Sequence, residues 1–320
     1  MDIKYLLFLQ NFREETGNIL TPFMESISEF AVGFWPFALV CVIYWLIDKK
    51  IGKWIILSSG FASLINGSIL KITACVYRPW IKDPRVIPAG DAITSATGYS
   101  FPSGHSTFAT SFLGLTGFYY RKKNMLFSFT LLFLMFLVLF SRNYLGVHYP
   151  QDVVVGFLIT SITGFFTYKL INWMELKRNR DINFLLFMVV LSIINILYIE
   201  LKPYPMDYVN GKLLVDPSKM IADAFEGIGT LLAFSIGNFL ENRFVNFNFE
   251  QGNKKQIIVV VISLILLYFW IKYSVNFFDP ILGRCLAKFI SFFVRTIFVI
   301  FIVPFFLKRF CSKKSHEISE

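Results

Sequence analysis

Residues 121–142, RKKNMLFSFTLLFLMFLVLFSR, decide the fold class: the 16 positions from Met125 to Phe140 carry no charge and lie between a basic triplet and Arg142. A helix rises about 1.5 Å per residue, so about 20 such residues cross the hydrocarbon core of a bilayer. This run with its flanks is therefore read as a membrane-spanning helix. The rest of the chain agrees, because 320 residues that are 55% apolar, 18% aromatic and only 16% charged have more apolar surface than a soluble domain of that length buries.

Reading outward from that helix gives an all-α, polytopic integral membrane protein with nine expected spans, at about 30–47, 52–74, 103–120, 124–141, 152–172, 183–200, 219–240, 256–274 and 287–307. Residues 1–29 precede them, and the stretch from Asp2 to Glu15 mixes apolar and charged residues in the way of an amphipathic helix lying in the interface. It lacks the basic start and small-residue cleavage site of a signal peptide, so it is expected to stay in the mature protein. Three units follow: a core at 30–180, four further spans at 181–308, and a basic tail at 309–320.

Nine spans place alternate loops on opposite sides. One side collects 17 Lys and Arg against seven Asp and Glu, which is the whole net charge of +10, while the remainder of the chain is neutral. The positive-inside rule makes that side cytoplasmic, in the cell membrane, with the N-terminus outside and the C-terminus inside. The basic balance then needs no nucleic-acid partner. Cys41, Cys75, Cys285 and Cys311 have no ligand-type spacing and read as ordinary thiols, although Cys75 and Cys285 fall near the same face.

Three segments put ionisable residues where spans meet the outer face: Lys71 to Pro79, Pro102 to His105, and Ser141 to Asp152. Lys71 and Arg78 are seven residues apart, nearly aligned on one helical face, and Pro79 disfavours helix at Arg78. Arg142 adds a third cation, and guanidinium groups match phosphate oxygens bidentately. Pro102 suits the first position of a helix, where Ser103 and Gly104 offer a hydroxyl and unpaired amides to an anion.

His105 and His148 are two of three histidines, and the third, His316, lies in the basic tail. Asp152 is four residues beyond His148, one helical turn, and so can hold one imidazole nitrogen protonated while the other attacks phosphorus. His148 is accordingly assigned as nucleophile and His105 as general acid and base, with Lys71, Arg78, Ser103, Gly104 and Arg142 binding phosphate. No metal or other cofactor is expected, because no His, Cys, Asp and Glu cluster suits one.

These three runs resemble the three-part signature of the type 2 phosphatidic acid phosphatase superfamily, which also contains the vanadium haloperoxidases; the likeness covers about residues 30–172. The resemblance implies a helical fold with the phosphate site at the membrane interface, the same roles for the two histidines, and inhibition by vanadate. A membrane lipid phosphate is the expected substrate: phosphatidic acid, phosphatidylglycerol phosphate or an isoprenoid pyrophosphate such as undecaprenyl pyrophosphate. The alternatives are a lipid-linked phosphotransferase and a lipid transporter that retains the motif.

In the back half, Asp223, Glu226 and Arg295 fall at membrane depth, where a charge must be compensated. The expectation is an ion pair between Arg295 and one of the acids, with headgroup recognition or transport as the functional alternative. Gly227, Gly229 and Gly237 read as helix-packing residues. The loops 76–101 and 200–219 are long enough to cover the mouth of the site.

Overall fold

The computed structural model describes residues 2–96, 98–177, 179–248 and 253–311. Arg178, Glu250 and the tail from 312 onward, with Lys313, Lys314, His316, Glu317 and Glu320, lie outside the described residues. The protein is an all-α integral membrane protein. Among the described residues, eight helical segments are long and apolar enough to cross a membrane: Thr21–Leu46, Lys49–Lys82 (helical to Ala74 and again from Pro79), Met125–Tyr144, Pro150–Glu175, Arg180–Leu201, Ser218–Val245, Lys254–Leu282 and Arg284–Arg309. The remaining expected span, the third, at 103–120, is the continuous helical segment 104–120, 17 residues long and bulged at Thr110–Gly114.

Two boundaries differ from expectation. The first span begins at Thr21 rather than near 30, because Thr21–Val32 bends at Gly33 into Phe34–Leu46 instead of ending as an interfacial segment. The span expected at 256–274 runs on to Leu282, so only Gly283 separates it from the next helix at Arg284. Side-chain caps fix the starts of several helices: Asp48 accepts from the Ile51 amide at 3.1 Å and Asn124 from the Phe127 amide at 3.0 Å.

Helix 125–144 shows why the opening run has no charge. Leu126, Phe129, Phe133 and Phe136 form an exposed stripe at helical spacing, while Ser128, Leu131, Val138 and Ser141 are buried on the other face. In water such a stripe would cost about 1.5–3 kcal/mol per large side chain relative to burial; facing lipid it costs little.

Helix 218–245 is central. A Cβ on Gly227 would stand 2.7 Å from the Leu64 amide nitrogen, and one on Gly229 would stand 2.6 Å from the Phe289 carbonyl oxygen. These glycines let helix 49–74 and helix 284–309 approach its backbone from two sides, as their reading as packing residues requires. At one end of the bundle, ion pairs join Lys49 and Lys53 to buried Glu241 at 2.6 and 2.8 Å, Lys50 to Glu175 at 2.6 Å, and Arg243 to Asp181 at 3.4 Å. That is the end where the Lys and Arg count placed the basic loops.

At the opposite end, helix Asp2–Glu15 lies over the cap of the bundle. Its Arg13 donates to the Tyr144 carbonyl at 3.0 Å and the Ile87 carbonyl at 2.7 Å, while Phe8 and Phe12 stay exposed. Loop 76–101 is stitched to this layer through Ala89 to the Leu145 carbonyl at 3.0 Å and Ile87 to the Gln10 side chain at 2.9 Å. Loop 202–217 folds into a two-stranded hairpin, Tyr208–Val209 with Lys212–Leu213, turned by Asn210 and Gly211 at φ 51° and 71°. Tyr77 reaches Asp207 beside it, so both loops meet over the same end. Cys41, Cys75 and Cys285 are free thiols.

Candidate active site

Helix 49–74 does not carry Lys71 and Arg78 together to its end. It stops at Ala74, and Cys75 takes a left-handed conformation at φ 44°. Arg78 is then extended, at φ −64° and ψ 153°, and Pro79 opens the short helix Pro79–Lys82. The expected break before Pro79 is present but begins earlier, so the two cations converge because the chain turns back, not because they share a helical face.

Pro102 is likewise not the first helical residue. It precedes Ser103, which is the N-cap of the helix starting at Gly104 and accepts from the Ser106 amide at 3.3 Å. Gly104 and His105 thus occupy the first turn, where amides have no acceptor within the helix. A Cβ on Gly104 would meet nothing within 4 Å, since open space lies in front of it. The start of this helix is anchored to the next segment by the Ser103 amide, which donates to the Asp152 carbonyl at 3.0 Å. Asn66, within helix 49–74, donates to Thr107 at 2.9 Å and Thr160 at 3.2 Å, tying three helices below the site.

His148 lies between helices 125–144 and 150–175, held by Asn143, whose side-chain amide donates to its carbonyl at 2.9 Å. Its Nδ1 is 3.1 Å from Asp152 Oδ2, and that same oxygen accepts from the Tyr149 amide at 3.0 Å. Arg78 Nη1 stands 2.9 Å from His148 Nε2 and donates to the Val147 carbonyl at 2.9 Å. A carboxylate on Nδ1 and an N–H donor on Nε2 assign the proton to Nδ1 and the lone pair to Nε2. Burial, with the nearby charges of Arg78, Arg142 and Lys71, holds the imidazole pKa well below its ordinary value.

A cavity of about 260 Å³ brings these groups together, with Lys71, Arg78, Gly104, His105 and His148 all in its wall. Asp152 is fully buried behind His148. Ser103 and Arg142 stand off the wall: Ser103 is buried with its hydroxyl on its own helix, and Arg142 donates to Ser28 on the far side, near Glu25, Glu29 and Asp91. Arg142 still acts on His148 through its charge.

The back half supplies the opposite wall with Asp223, Glu226 and Lys288. Here the expected ion pair is corrected. Lys288 pairs with Asp223 at 3.0 Å and also with Glu226, while Arg295 stacks over the rings of Phe292 and Phe37 at 3.9 and 4.6 Å. Lys288 is one turn into its helix and level with the acids, whereas Arg295 lies two turns deeper. Lys288 and Asn66 were not singled out from sequence; an ammonium so close to a span end reads as one that reaches to the interface.

Fold and site together bring two cations and a carboxylate-paired histidine into one cavity of an integral membrane protein. Residues 52–175 match the PAP2 superfamily, so this part of the chain carries a PAP2 superfamily domain. It is 28% identical over 171 residues to the bacitracin transport permease protein BcrC of Bacillus licheniformis, covering 52% of this chain and 79% of the relative. It is 27% identical over 156 residues to the undecaprenyl-diphosphatase BcrC of Bacillus subtilis, covering 48% and 76%. Over 84 residues it is 43% identical to phosphatidylglycerophosphatase B of Haemophilus influenzae, covering 22% of this chain and 35% of that one. No solved structure matches the chain.

Proposed function

We propose that the protein hydrolyses a lipid phosphomonoester or an isoprenoid pyrophosphate through a phosphohistidine on His148, at the extracytoplasmic face of the membrane. The superfamily and relatives named as phosphatases of lipids and of an isoprenoid diphosphate make it a lipid phosphatase in class. The observation that carries the mechanism is the His148 imidazole, pinned through Nδ1 by Asp152, with Nε2 beside Arg78 at a cavity that Lys71 also lines.

In this reading the phosphoryl group enters beside Gly104, and the Arg78 guanidinium passes from Nε2 to a phosphate oxygen. The Nε2 lone pair forms the bond to phosphorus as the ester bond, or in a pyrophosphate the anhydride bond, breaks, and His105 gives a proton to the departing oxygen. Lys71, Arg78 and the amides of the first helical turn offset the charge on the equatorial oxygens. His105 then takes a proton from water, whose oxygen attacks phosphorus, and the bond to His148 breaks to release phosphate. The outward placement rests on the basic cluster at the opposite end of the bundle.

Phosphate release from phosphatidic acid, phosphatidylglycerol phosphate and undecaprenyl pyrophosphate, assayed on purified protein with excess chelator, tests the reading. Release that resists chelator, is blocked by vanadate and disappears in His148→Ala is expected. Failure on every lipid, or full activity in the variant, contradicts it, and loss of the lipid's phosphate to an added acceptor lipid without free phosphate would make the protein a phosphotransferase.

A further inference from the structure

We propose that Asp223, Glu226 and Lys288 form a subsite for the leaving group, and that it takes a hydroxyl-bearing headgroup, a polyol or a sugar, rather than a second phosphate. This rests on the phosphatase reading of the same cavity. The three side chains come from helices 218–245 and 284–309, outside the part of the chain that matches the superfamily.

Position comes first. The phosphoryl cavity meets a second cavity of about 280 Å³, and Glu226 and Lys288 stand in the walls of both. Beyond Glu226 and Lys288 the second cavity has Ser291 and Arg295 in its wall and is otherwise apolar, with Phe37, Phe108, Phe112 and Phe292 offering rings to a hydrocarbon chain. It opens beside the bend at Gly33, where helix Thr21–Val32 ends. A lipid with its phosphorus at His148 and its tail among these rings must pass its connecting atoms across Glu226 and Lys288.

Charge then selects what those atoms are. A phosphomonoester dianion is matched by Lys71 and Arg78 on the near wall. On the far wall two carboxylates share one ammonium, so this triad is net negative when all three are charged, while Arg295, in the wall of the second cavity, lies two turns deeper against the Phe37 and Phe292 rings. The terminal phosphate of a diphosphate could sit at His148 only by pressing the other phosphate toward Asp223 and Glu226. Hydroxyl groups meet the opposite situation: carboxylates accept their protons and an ammonium donates to their oxygens, an array that fits vicinal diols. The Asp223 side chain is 45% exposed, so its second oxygen is open to a ligand although Lys288 is bound at 3.0 Å. Had the triad served only to join two helices, closure against lipid and solvent would be expected.

The test compares kcat/KM for three lipids on the purified protein: a diacylglycerol glucoside phosphorylated on its sugar, phosphatidic acid with the same acyl chains, and a polyprenyl diphosphate. The wild type is expected to favour the phosphorylated glucoside over phosphatidic acid by at least about tenfold, and Asp223→Asn to cut that preference about tenfold. Phosphatidic acid lacks free hydroxyls, so the ratio separates recognition from a general loss of folded protein; Glu226→Gln gives an independent second ratio. A wild type that prefers the diphosphate, or variants in which all three substrates fall together, overturns the proposal. Release from none of the three by the wild type overturns the phosphatase reading on which it rests.

Discussion

The two walls of the cavity are built in different ways. The near wall comes from residues 71–152, and local chain features place each of its groups: a left-handed residue at Cys75, Pro79 behind Arg78, an N-cap at Ser103, and a carboxylate one turn after His148. The far wall comes from helices more than 60 residues further along, and only packing brings it there. Gly227 and Gly229 let helix 218–245 sit against its neighbours, which sets Asp223 and Glu226 opposite Lys71. Reaction chemistry is therefore expected to belong to the near wall and substrate choice to the far one.

The largest effect should come from the near wall. His148→Ala is expected to lower phosphate release by at least about a thousandfold, because it removes the group that forms the covalent intermediate. Arg78→Lys keeps the charge but loses the planar donor that spans Nε2 and the Val147 carbonyl. A fall of about 10- to 100-fold in kcat/KM is expected, and an unchanged value would remove Arg78 from the phosphate site.

The pH profile sharpens the same contrast. His148 attacks as the neutral imidazole, and its depressed pKa keeps that form present below pH values of about 6.5. Activity is lost only as pH falls through the lowered value. The acid limb of kcat/KM, corrected for the substrate's own ionisation, is expected below about pH 6.5. Arg78→Gln, which removes a cation that depresses the imidazole, should move that limb upward.

How much of this was legible in the sequence follows the same division. The polytopic helical class came from charge-free runs, and His148 with Asp152 came from a one-turn spacing that the chain preserves. Lys71 and Arg78 were found for an incomplete reason, since helical alignment does not survive the turn at Cys75. Arg142 and Ser103 show the limit of position along the chain: both lie in the expected segments, yet neither lines the cavity, and Arg142 reaches Ser28 through Nη1 while its Nε and Nη2 stay buried without a hydrogen-bond partner. Lys288 was not legible. Its partners are 62 and 65 residues away, and no local signal encodes which cation on helix 284–309 stands level with them.

Smaller effects test the packing. Gly227→Val drives a branched side chain into the Leu64 backbone, and about 1–3 kcal/mol of destabilisation is expected as a lower thermal midpoint in detergent. A variant as stable as the wild type would mean that the far wall does not depend on this contact. Smallest of all, Lys50→Ala removes an exposed pair with Glu175 and should change stability by at most about 1 kcal/mol, in contrast to the buried Glu241 cluster beside it.

The central claim is a phosphoryl group carried on His148. Rapid acid-free quenching of the enzyme with a lipid labelled in its phosphate, followed by peptide mapping, tests it directly. Label that is lost in acid, survives in base and maps to His148 is the expected result. Label that persists in His148→Ala, or turnover at the wild-type rate with no labelled protein at any time, would contradict the account.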